Sequence, residues 1–248
     1  MAPAAPDEPA AAAENLPIDP VRAADPMPSV ESASQAMVEA FAGIRVDRRA
    51  RIVEFDGIVS IHAHDPLAPH VYLELIACTP DTREHETLVM TQAQAAHIHA
   101  ALLLIGLEPG NPGWLFFEGD KLKIVDPIGP RVRITLSYTN AAGESVTADP
   151  REWIENVATG ELLDGGARGP GFWVFAGSVI DDRPEYKGYA AQMSGSLIGL
   201  ATFASETLAW HRAFSPDADV EEPVWIARAA TVPPVGTAVT VRIEPAQR

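Results

Sequence analysis

Cysteine is nearly missing from this 248-residue chain, with Cys78 the only one. A single thiol excludes an internal disulfide. It also excludes an iron–sulfur cluster or a Cys-rich zinc site assembled from one chain. It leaves the compartment open, because disulfides are not obligatory in oxidising compartments. Basic residues are scarce as well: 18 Lys and Arg stand against 34 Asp and Glu, for a formal net charge of −16. Binding to nucleic acid needs clustered Lys and Arg, so that function class is excluded, and anionic membrane surfaces are disfavoured on the same ground. The charge aids solubility and leaves room for a cationic partner. No run approaches the ~18 apolar residues that a membrane helix needs. The longest, from Ile98 to Leu107, is shorter and contains a histidine and a glycine. The chain is expected to be soluble.

What is present is an apolar share of 47%, enough for a substantial core. Residues 1–29 hold little of it. They are built from Ala, Pro, Asp and Glu, with Pro3, Pro6, Pro9, Pro17, Pro20, Pro26 and Pro28 interrupting any helix, and are expected to be a disordered linker. The charged and apolar regions of a signal peptide are missing from it. Such a tract commonly follows a cleaved signal or a lipid-anchor site, and an anchor removed ahead of it would make the linker a membrane tether. Val30, Met37, Val38 and Phe41 predict a short N-terminal helix, capped by Ser29 or Ser32 and ended by Gly43. From there the pattern turns strand-like, over 52–61 with Gly57 as a bulge or turn, over 71–78, and over 87–90. Ile98, Leu102 and Ile105, widened by Ala101 and Leu104, predict a helix over 92–107 that is apolar nearly all round and therefore buried. Strands then follow at 121–125, 132–138, 144–147, 173–180, 195–202 and 238–243, with a hairpin turn at Asn140–Gly143. Trp153-Ile154 and Val224–Ile226 are short apolar pieces that pair or plug. The expectation is an α+β, β-dominated single domain over residues 30–246, with one central buried helix and a short N-terminal helix.

The stretch from Cys78 to Gly110 concentrates the reactive side chains, yet no reaction is legible in it. Cys78 ends a strand; as a nucleophile it would need a nearby base and a lowered pKa. His85, His97 and His99 are close enough in sequence to serve, Glu86 can orient one of them, and Arg83 can clamp an anion. The candidate catalytic set is thus Cys78, Arg83, His85, Glu86 and His99, against the plain alternative that Cys78 is a small core residue. His85-Glu86 begins like HExxH, but Val89 stands where the second histidine belongs, so a zincin is excluded. His97 and His99 lie ~200° apart around a helix and cannot chelate one ion together. His62 and His64 share a strand face, as in an HxH metal pair, but the βα repeats of an amidohydrolase barrel are missing. The glycines at 165, 166, 169 and 171 lack the strand–GxGxxG–helix order of a dinucleotide site. Asp181, Asp182 and Glu185 form an acidic turn that does not match an EF-hand.

The strings CTPDTREHETLV, HIHAALLLIGLEPG, WVFAGS and PPVGTAVTVRIEP together resemble the YdjY-domain family over most of residues 40–246. The family's Cys followed by Lys/Arg-x-His-Glu maps onto Cys78, Arg83, His85 and Glu86, and its helix pattern onto His99 and residues 100–104. The resemblance implies a shared fold and a periplasmic or secreted location. It brings no established activity or cofactor. Some members carry a ferredoxin-like label, which one cysteine makes inapplicable here. Three functional expectations follow. The first is an extracytoplasmic binding or structural module, with a pocket where the 78–86 loop meets the 92–107 helix. The second is a hydrolase or thiol-dependent enzyme using Cys78 with a nearby histidine. The third is a metal site of His85, Glu86 and a helix histidine.

Overall fold

Alternation of β-branched and polar residues sets the architecture. A computed structural model describes residues 37–68, 70–164, 170–184 and 187–246. The expected linker, the start of the expected N-terminal helix, most of the glycine loop and Glu185 lie outside these residues. In chain order the strands are β1 (Val38–Phe41), β2 (Ile44–Asp47), β3 (Ile52–Val59), β4 (Leu75–Cys78), β5 (Thr87–Met90), β6 (Trp114–Glu118), β7 (Lys121–Val125), β8 (Arg131–Thr139) and β9 (Ser145–Ala148). They continue with β10 (Ile154–Asn156), β11 (Trp173–Phe175), β12 (Ile180–Asp181), β13 (Gly188–Tyr189), β14 (Ser196–Gly199), β15 (Leu208–Trp210), β16 (Trp225–Ala227) and β17 (Ala238–Pro245). Among the described residues two α-helices accompany them, α1 (Ala95–Leu104) and α2 (Ala190–Ser194).

Eight strands close into a barrel in the order β3-β17-β8-β11-β15-β14-β4-β5, with β5 returning to β3. Most pairings are antiparallel, while β14–β15 and β4–β5 are parallel. The period of two puts Val53 and Phe55 of β3 beside Ile243 and Val241 of β17, which sit beside Ile134 and Leu136 of β8. All six are buried, and they form one wall of the main apolar core. Charged partners take the other face, with Arg242 between Glu54 and Glu244. At its start β3 pairs with β2, and at its end with β5. Gly57 sits at the crossover and is required there by close approach, since a Cβ would lie 2.6 Å from Val89 Cγ1 and 2.8 Å from the Met90 carbonyl oxygen. It is a contact point inside a continuous strand rather than a turn.

Two expectations are corrected. The fold is mostly β and closed, not an α+β domain built round a central helix. The 92–107 helix shrinks to α1, which buries Ala95, Ile98, Ala101 and Leu102 along one stripe, packs on β1, β2, β3 and α2, and leaves Leu103 46% and Leu104 39% exposed. Surface leucines are common, so an apolar circumference does not by itself demand burial on every side. The short N-terminal helix is also overturned where it can be seen. Val38–Phe41 is strand β1, held by pairing Val38 with Val46 and Phe41 with Ile44, a place for β-branched and aromatic side chains. Among the described residues no helix is long and apolar enough to cross a membrane.

Candidate functional site

Cys78 closes β4, opposite Ser196 of β14 and Met90 of β5, and is fully buried. Burial pushes its thiol pKa up. Thr82 and Thr87 beside it already donate their hydroxyl protons to the carbonyls of Thr79 and Arg83, at 2.6 Å each. A nucleophile needs the thiolate, and this setting favours the neutral thiol. His85, on a 3₁₀ turn over Glu84–Glu86, points to solvent, with Nε2 3.8 Å from Glu86. Arg83 turns the other way. Its Nη1 donates to Glu74 Oε2 at 2.6 Å, and its guanidinium lies 3.9 Å over the Phe203 ring.

The two histidines of α1 part as the helical angle requires. His97 stacks on Phe41. His99 meets Phe175 and Tyr189 edge-on, and its Nδ1 is 2.9 Å from the Tyr189 hydroxyl. That hydroxyl donates to the Gly177 carbonyl at 3.2 Å and lies 3.1 Å from Thr207 Oγ1. The hydroxyl thus ties His99, the Gly177 carbonyl and Thr207 into one polar network. Burial lowers the His99 pKa and raises that of Tyr189 to about 12. Cys78 and His99 thus have separate partners, and among the described residues no hydrogen bond joins the thiol to a histidine. Among those residues no group of three or more His, Cys, Asp or Glu side chains is placed to hold a metal. α1 packs on β1–β3 and α2, while the 79–86 loop leans on Gly195 and Glu74.

A half-open cavity borders Glu74, the partner of Arg83. Residues 71–73 pair with β16, through Leu73 N–H to the Trp225 carbonyl and Ala227 N–H to the Val71 carbonyl. After Glu74 the chain joins β14 and β5 as β4. Glu74 is the hinge between these pairings. Its carbonyl accepts from Leu200 and Ala201, and its N–H donates to the Glu86 carbonyl. Glu74 borders this cavity of about 220 Å³ walled by Tyr72, Phe214 and Trp225, with Glu86, Glu221 and Glu222 on the same lining. Among the described residues that lining includes four glutamates and no Lys, Arg or His. Burial raises the Glu74 carboxyl pKa; Arg83 works against the rise and nearby Glu86 adds to it. Glu221 is fixed by accepting from Ser215 N–H at 2.8 Å. Behind Arg83, Glu206 is fully buried, accepts from Phe203 N–H, and has its Oε2 without a partner; burial pushes its pKa up to about 7.

Of the residues singled out from sequence, the structure gathers Arg83 and Glu86 around Glu74, and places Cys78 and His99 elsewhere. Glu74, Tyr72, Phe214, Glu221 and Trp225 escaped sequence reading because they converge from three separate segments. One signal was available: Glu74 is a lone acid inside an otherwise apolar strand-like run, VYLELIAC. No curated protein and no solved structure matches the chain. The profile of the YdjY domain matches residues 44–244, which takes in β2 to β16, β17 up to its last residue, and the whole cavity lining; the chain belongs to the YdjY domain family.

Proposed function

We propose that the protein is an extracytoplasmic binding module whose cavity between Tyr72, Phe214 and Trp225 takes a cationic group. One observation carries the reading: three aromatic residues and four glutamates share a cavity lining that includes no Lys, Arg or His. Aromatic faces and carboxylates both attract ammonium and guanidinium groups, more strongly when partly desolvated. The volume suits a side-chain head group better than a drug-sized molecule. Arg83 neutralises part of the Glu74 charge and holds that carboxylate in place. The extracytoplasmic setting rests on the Ala/Pro/acidic tract and on the export expected of the family.

The test is calorimetric titration of the full chain with N-acetyl-lysine methylamide and with agmatine at low and high salt. Binding in the micromolar to millimolar range is expected, weakened by salt and by Glu86→Gln. Absence of heat up to about 10 mM ligand, or affinity untouched by Glu86→Gln, sinks the reading.

A further inference from the structure

We infer that the cation belongs to a polypeptide segment, which places a Lys or Arg side chain in the acidic cavity and lays apolar side chains along the β6–β7 hairpin. This rests on the cation-binding reading above. The cavity does not stop at Phe214. Ser215 and Pro216 line it and also line a second depression of about 380 Å³, whose facing wall is the hairpin. Phe203 and Val220 also line that second depression, which adjoins the cavity at Ser215 and Pro216.

The hairpin looks built for contact. Among the described residues β6 and β7 pair only with each other. Their register sets Leu115 beside Ile124 and Phe117 beside Leu122, an apolar face without interruption. Phe117 is 62% and Ile124 54% exposed, with Trp114 and Phe116 exposed on the other face. Clustered exposure of this kind marks an interaction site more often than an accident.

Charge decides the occupant. A second copy brings another −16, and an anionic membrane is repelled in the same way. The hairpin tip, Glu118-Gly119-Asp120, would also carry acids into the lipid first. A free amine fits the cavity but offers nothing to the hairpin. A basic, apolar peptide fits both halves, with a pocket for one side chain and a groove for its neighbours.

Fluorescence anisotropy with labelled nonapeptides of Leu, Phe and Gly carrying one Lys tests this, with N-acetyl-lysine methylamide as competitor. The peptides should bind at least about tenfold tighter than the free amine, and Glu in place of the Lys should abolish binding. Phe116→Ser and Phe117→Ser, both at exposed positions, should weaken the peptide at least about threefold and leave the amine unchanged. Should these variants leave peptide affinity unchanged, or should peptide and amine bind equally, the peptide inference fails while amine binding sensitive to Glu86→Gln keeps the cavity reading. Binding of neither probe overturns both.

Discussion

At the scale of single residues, the groups with shifted pKa values make the sharpest predictions. Glu206 has its folded pKa raised to about 7 by burial. Between the ordinary carboxyl range and pH 7 the native state therefore holds a proton that the unfolded chain has released. Stability falls as pH rises through that window, by about 3 kcal/mol in all. Glu206→Gln should remove this slope, raising the melting temperature at pH 8 far more than at pH 4.5; equal effects at both would show that Glu206 is charged when folded. Tyr189 is a second case. Phenylalanine there would take a hydrogen-bond partner from His99 Nδ1, the Gly177 carbonyl and the Thr207 hydroxyl, and should cost about 1–3 kcal/mol in urea denaturation. Cys78 should resist a thiol reagent at neutral pH in the native protein and react at once in denaturant, because it is fully buried and its pKa is pushed up.

At the scale of elements, sequence periodicity located more than it ranked. The strands at 87–90 and 121–125 fall where alternation places them, and β8 and β17 extend their expected spans by one or two residues. Of the two short apolar pieces, Ile154 pairs with Ala227, and Trp225 and Ile226 pair with Asn156 and Glu155, all in the β10–β16 ribbon. β15 was missed because a three-residue strand, Leu-Ala-Trp, is too short for a period to show. β6 could have been read from its apolar run leading into Glu118-Gly119-Asp120, a turn signal. The helix was ranked wrongly because composition says nothing about which faces neighbours will cover. That ranking is open to measurement: Ile98→Ala should cost about 2–5 kcal/mol, whereas Leu104→Lys should stay within about 0.5 kcal/mol. Equal losses would return the helix to the middle of the core.

At the scale of the whole molecule, the acidic net charge was legible from the sequence alone, but the acidic cavity needed the fold. Its acids lie in segments around 74, 86 and 221, and only barrel closure with the β16 pairing brings them together. Cation affinity should fall as pH falls, because protonation removes the attracting carboxylate. With Glu74 raised by burial, the loss should begin at a higher pH than an ordinary carboxyl would set, and Glu74→Gln should flatten that part of the titration. The barrel has one further consequence, which concerns time rather than space. β17 is the joint between β3 and β8, yet it comes last of the barrel strands in chain order. Until residues 238–245 leave the ribosome, β3 and β8 each present an unpaired edge and the ring has a gap. Such a chain waits with its ring open until its final barrel strand arrives to lock it.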